Sequence, residues 1–175
     1  LKRTILALML LTLPGWSWAQ PVYEAVSKCL VIHLQEGIPS LKIQLSDDYT
    51  VARKADIKGN LMLCPWNEYF LFETSSVDLI QKTPVLDEVA MNKEVDAFVQ
   101  STGRPYTGRK VWLDAKGPRA SLELVAGEKP KRTADTYLLW PAQGRLYIYF
   151  TTGYETSLAD QKVIQDLILK ELNRS

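Results

Sequence analysis

The sequence predicts an α+β fold, a mostly antiparallel sheet with two long helices packed on it as a sandwich. Three observations predict it. Runs of alternating apolar and polar residues recur through the chain, which is the period-2 signature of half-buried strands. Two stretches, residues 83–100 and the carboxyl end, change to the 3.6-residue period of an amphipathic helix. Short polar turns join the later strands, which favours antiparallel hairpins.

The chain of 175 residues opens "LKRTILALMLLTLPGWSWAQ". Lys2 and Arg3 precede an apolar run from Ile5 to Leu13, broken by Pro14 and Gly15, and Ser17-Trp18-Ala19 fits a small-x-small cleavage site. The apolar run is too short to span a bilayer at about 1.5 Å per residue. Residues 1–19 are therefore expected to be a cleaved signal peptide, and residues 20–175 a single domain in the periplasm or outside the cell. Losing Lys2 and Arg3 turns the formal charge from +1 to −1, which draws neither nucleic acid nor anionic lipid. No later segment reads as a membrane anchor.

The first strands follow. "CLVIHL" is apolar apart from His33, and "SLKIQL" alternates with Leu41, Ile43 and Leu45 on one face. Asp47-Asp48 mark a turn, and "YTVARKA" reads as the second arm of a hairpin. "LMLCPW" and "EYFLFET" read as an antiparallel pair or one bent strand around Pro65, which cannot donate to a sheet ladder.

Thr83 and Pro84 suit the cap and first position of a helix. Val85, Val89, Met91, Val95, Phe98 and Val99 form its apolar stripe, and Gly103 suits its stop. Then "KVWLD" and "RASLELVA" alternate about a Gly117-Pro118 turn. "TYLLW" and "RLYIYFTT" flank a Pro-Ala-Gln-Gly turn. In the last strand Leu146, Ile148 and Phe150 face one way, Tyr147 and Tyr149 the other. Ser157 and Asp160 suggest a capping box for a closing helix with Ile164, Leu167, Ile168 and Leu172 on its stripe.

Over residues 38–172 this order resembles the exported PsbP-like and DcrB-type modules. The matching stretches are "SLKIQLSDDYTVARK", "NLMLCPWNEYFLFET", "KVWLDAKGPRASLEL", "TYLLWPAQGRLYIYFTT" and "DQKVIQDLILKEL". The resemblance lies in pattern and order, and these modules have no invariant catalytic motif to carry over. It implies an α/β/α sandwich around an antiparallel sheet and non-catalytic work as an accessory, assembly or binding factor. The segment from Gln20 to Gln35 is an addition to that pattern.

Cys29 and Cys64 are the only cysteines. In an oxidising compartment they suggest a disulfide closing a loop of about 35 residues, worth roughly 3–4 kcal/mol on the chain-entropy model. Two buried free thiols are the alternative. His33 is the only histidine, and no G-x-S-x-G elbow accompanies it. Structural zinc needs four Cys or His ligands, and the chain has three such side chains. No phosphate-binding or dinucleotide fingerprint occurs. Neither metal nor cofactor is expected, and the acids Asp87-Glu88 and Glu94-Asp96 read as a solvated helix face.

Two candidate binding surfaces remain. In "STGRPYTGRK" (residues 101–110), turn chemistry explains Gly103, Pro105 and Gly108. Arg104, Tyr106 and Arg109 are left over, residue types favoured at protein interfaces, and a protein or peptidoglycan surface suits them better than a nucleotide. The second surface is the Tyr147/Tyr149 face, with Trp140 and Tyr137 in the hairpin partner, unless a helix covers it. The expected function is a non-enzymatic envelope protein that binds a protein partner or an envelope component. A periplasmic immunity protein against a secreted toxin is the first alternative. A small hydrolase using carboxylates or His33 is the second.

Overall fold

The computed structural model describes residues 17–19, 22–34, 39–53, 61–63, 68–81 and 83–174. The early strands are β1 (Ser17–Ala19), β2 (Val22–Glu24), β3 (Cys29–Ile32), β4 (Leu41–Gln44), β5 (Val51–Arg53), β6 (Leu61–Leu63) and β7 (Phe70–Asp78). Helix α1 (Glu88–Thr102) leads to β8 (Gly108–Asp114), β9 (Gly117–Ala126), β10 (Thr133–Ala142) and β11 (Arg145–Tyr154). A 3-10 turn, Glu155–Ser157, runs into α2 (Leu158–Leu172).

The main sheet has the order β5-β6-β7-β11-β10-β9-β8, with β1 also paired to β7. All its described pairings are antiparallel. The crossover through α1 carries the chain from β7 to the far edge, and the β8–β11 meander returns it to β7. Each helix covers one face. Met91, Val95 and Phe98 of α1 pack with Ala120, Leu122, Tyr137, Leu139, Leu146 and Ile148. Ile164, Ile168 and Leu172 of α2 pack with Phe70, Phe72, Leu138, Trp140, Tyr147 and Tyr149. This is the sandwich that the periodicities imply.

The opening strands pair differently from the sequence expectation. The β4 strand pairs with β3 instead of β5, within a separate sheet ordered β2-β3-β4, and β5 pairs with β6. All four residues of β3 are buried, so it takes the central place between two partners. Leu30, Ile32, Leu41 and Ile43 extend the apolar layer on the α2 face. The expected leader also meets the sheet: Ser17, Trp18 and Ala19 pair with Ser76, Ser75 and Thr74.

Element ends also differ in places from the sequence expectation. Helix α1 begins at Glu88, capped by Asp87, whose side chain accepts from Ala90 N at 2.7 Å. Thr83 and Pro84 precede it in a loop that buries Val85, and Val89 is exposed. Gly103 does terminate α1, in the left-handed region with φ +59. Pro141 and Ala142 belong to β10, paired with Leu146 and Arg145. The turn is Gln143-Gly144, both with positive φ (+46 and +79), as a two-residue hairpin of the strand-matching type requires. Pro118 likewise sits in β9 opposite Leu113. No capping box forms at α2, because the Ser157 hydroxyl donates to Tyr154 O and accepts from Gln161.

A polar layer lies inside the α2 face. Thr136 and Thr151 share a hydrogen bond at 2.5 Å, Thr151 donates to Gln161, and Gln165 donates to Thr136. All four side chains are buried, and each has a partner, so the layer specifies how α2 sits on β10 and β11.

Candidate functional site

The loop after α1 folds inward. Arg104 pairs with Asp135 and donates to the Tyr137 hydroxyl. Tyr106 hydrogen-bonds Thr102 and meets Tyr137 edge to face at 5.4 Å, and burial pushes its phenol pKa up. Arg109 binds Asp96 and Asn92 of α1. These three side chains thus join the loop and β8 to the sheet and helix. Tyr106 packs against the α1-face core.

The Tyr147/Tyr149 face is covered by α2 and the small sheet, and both rings are buried. Tyr147 stacks on Trp140 with ring centres 5.7 Å apart. Complete burial holds the Tyr149 phenol pKa well above its ordinary value. Tyr137 does not share this face. Three residues before Trp140 in one strand, it points to the α1 side and joins that core.

His33 is exposed, with Nδ1 3.0 Å from Ser40 Oγ. Cys29 is a buried free thiol whose pKa burial raises. Cys64, the other half of the expected bridge, lies outside the described residues. Among the described residues, no three His, Cys, Asp or Glu side chains converge to hold a metal ion. No helix among them is long and apolar enough to cross a membrane.

Two acids that matter were not singled out correctly from sequence. Glu94 is 2 % exposed and faces inward, where its carboxylate accepts from Ile80 N and Gln81 N, each at 3.0 Å. Gln81 returns a bond to Ala90 O at 2.7 Å. These bonds fasten the loop before α1 to the helix. Glu73 lies on β7 opposite Phe150, and burial pushes its pKa up to about 7. Its place on the α1 side, between Leu71 and Ser75 in an alternating strand, was a readable signal.

The fastened loop forms one wall of a groove of about 390 Å³. Leu79, Pro84, Val85 and Leu86 face Lys116 with the start of β9 (Gly117, Pro118), and the end of β10 with its turn (Pro141 to Gly144), across it. Leu79 N donates to Gly144 O at 3.2 Å, tying the loop to the second turn. Glu88 accepts from Leu113 N at 3.2 Å, which brings Leu113 beside the start of α1. Leu86 is 73 % exposed and Leu113 56 %, and Ile80 and Val89 are exposed as well. The site is thus a mostly apolar concavity, with Gln81, Thr83, Lys116 and Gln143 also in its lining, of a kind suited to taking up side chains of another molecule.

Fold and groove together define an antiparallel α/β/α sandwich with a groove at the end where α1 starts. No family model and no curated protein matches the chain. Among solved structures it is similar to LpqN, involved in cell envelope biogenesis of Mycobacterium tuberculosis. That match has 12 % identity over 91 % of this chain and 89 % of the other, with a TM-score of 0.43. It is also similar to the cyanobacterial PsbP protein (CyanoP) of Synechocystis sp. PCC 6803, at 5 % identity over 91 % and 92 %, with a TM-score of 0.42.

Proposed function

We propose that this chain is an exported, non-enzymatic protein of the cell envelope that binds a protein partner through the groove at the start of α1. The observation that carries the proposal is the groove with its exposed Leu86, beside which Leu113, exposed as well, pairs with Pro118 of the lining. Large apolar side chains gathered around a concavity are costly in water and are recovered by association. By contrast, Arg104, Tyr106 and Arg109 spend their polar groups on internal partners. The leader-like residues 1–19 support export.

The test is affinity capture of the tagged chain from the bacterial periplasm, repeated with Leu86→Asp, Leu113→Asp and, as a control on the exposed side of α2, Val163→Asp. A stoichiometric partner lost with either groove variant and kept by the control supports the proposal. A partner that survives both groove variants, or reproducible turnover of a substrate, refutes it.

A further inference from the structure

The main sheet ends in β8, which pairs with β9 on one side and with no described strand on the other. The middle of β8 reads Lys110-Val111-Trp112-Leu113-Asp114. Leu113 N donates to Glu88 instead of to β9. By the alternation of an antiparallel ladder, Arg109, Val111 and Leu113 therefore aim their backbone groups outward. Side chains alternate as well. Val111 and Leu113 sit on the α1 face, in register with Ala120 and Pro118. Lys110, Trp112 and Asp114 sit on the other face, where Lys110 Nζ lies 5.2 Å from the centre of the Trp112 ring. Lys110 is exposed, and Leu113 is 56 % exposed. Asp114 accepts from Asn173 and from Ala115 N, bonds that hold its pKa below the ordinary value and keep it charged.

An apolar run on a terminal strand invites another strand, and a lysine beside it ordinarily deters one. The spacing here lifts that deterrent for a single partner, the same strand. Laid antiparallel on itself about Trp112, the segment sets Lys110 opposite Asp114 twice, Val111 opposite Leu113 twice, and Trp112 opposite its own copy. Lys110–Asp114 and Trp112–Trp112 then fall at non-hydrogen-bonded positions, where facing side chains come closest. The neighbouring registers lose this match. Centred on Val111, Asp114 faces Gly108; centred on Leu113, Asp114 faces Trp112 and Lys110 faces Lys116.

We infer that two copies of the chain pair edge to edge through β8, antiparallel about a twofold axis at Trp112, so that the main sheet continues from one copy into the other. Glu88 then cedes Leu113 N to the Val111 carbonyl of the second copy. The pairing goes beyond the groove and does not use Leu86.

The test is sedimentation of the exported chain over a range of concentrations. A contact smaller than a standard interface is expected to give a reversible dimer with Kd on the order of 10–100 μM. Lys110→Asp places like charges opposite each other at Asp114, and Asp114→Lys does so at Lys110. Each variant alone is expected to dimerise at least about tenfold more weakly. An equimolar mixture of the two is expected to regain the parental affinity, because each chain supplies the charge that the other lacks. Circular dichroism checks the fold of both; where Asp114→Lys misfolds, Lys110→Asp at its exposed site decides alone. Leu86→Asp is expected to leave the dimer unchanged. A chain that stays monomeric well above that Kd range overturns the inference. So does a dimer indifferent to Lys110→Asp, and so does a mixture of two folded variants no tighter than either by itself.

Discussion

The guanidinium of Arg104 is bonded to the carboxylate of Asp135, two strands into the sheet from the loop that carries it. Thr152 donates to the other carboxylate oxygen at 2.6 Å, and the Tyr137 hydroxyl accepts from Arg104. Both ion-pair side chains are largely buried. Removing one partner leaves the other charge desolvated, a loss of several kcal/mol in fully buried cases. Arg104→Ala is therefore expected to lower unfolding stability by about 2–4 kcal/mol. Arg109→Ala, whose pair with Asp96 is more exposed, is expected to cost under about 1 kcal/mol. Urea denaturation of both variants checks the contrast. Equal small losses would mean that Arg104 does not clamp the loop.

Gly153 is set by close approach. A Cβ there would lie 2.6 Å from Ser157 Oγ and 2.8 Å from Phe70 Cβ. Phe70 Cβ cannot yield without moving β7, and Ser157 Oγ can turn away only by giving up its bonds to Tyr154 O and Gln161. Gly153→Ala is expected to destabilise by about 1–3 kcal/mol, whereas Gly103→Asn at the α1 stop is expected to stay within about 1 kcal/mol. Thermal unfolding of the two variants separates the cases.

Period-2 alternation made the inner and outer sides of β11 legible, and the structure puts Tyr147 and Tyr149 on one side and Leu146 and Ile148 on the other. Alternation also contained the answer for Tyr137, since an offset of three along a strand reverses the face. Partner choice was less legible. Nothing local in "SLKIQL" says that β4 joins β3, because that pairing follows from burial of β3 on both sides. Thr83-Pro84 reads as the start of α1, yet Asp87, which reads in sequence as part of a solvated face, supplies the cap, and bonds from Glu94 to Ile80 N and Gln81 N fasten the loop before it. The groove was invisible in sequence for a related reason: it is assembled from three segments distant along the chain.

Glu73 gives stability a pH dependence. Its folded pKa is raised by burial to about 7, above the ordinary value near 4.3 that applies in the unfolded chain. Between those values the folded state holds a proton that the unfolded state has released. Its contribution is complete below about pH 4 and is lost as pH rises through about 7. Glu73→Gln is expected to match the parent at pH 4 and to be more stable by roughly 1–3 kcal/mol at pH 8. Denaturant midpoints across that range test the sign. A parent that gains stability relative to Glu73→Gln as pH rises would refute it.

The pairing of Ser17–Ala19 with Thr74–Ser76 gives the expected leader a structural readout. Cleavage after Ala19 would take β1 away from the outer edge of β7, where β6 pairs only as far as Phe72. The exported protein is expected to begin at Gln20 by intact mass. An Ala19→Phe variant, with a bulky residue where a small one is needed for cleavage, is expected to retain the leader. Hydrogen exchange at the amides of residues 74–76 is then expected to be at least about tenfold faster in the processed chain, since an uncovered sheet edge offers its backbone to water. Identical protection in the two forms would show that another segment covers the edge after cleavage. An unprocessed amino terminus would instead make β1 a permanent strand of the sheet.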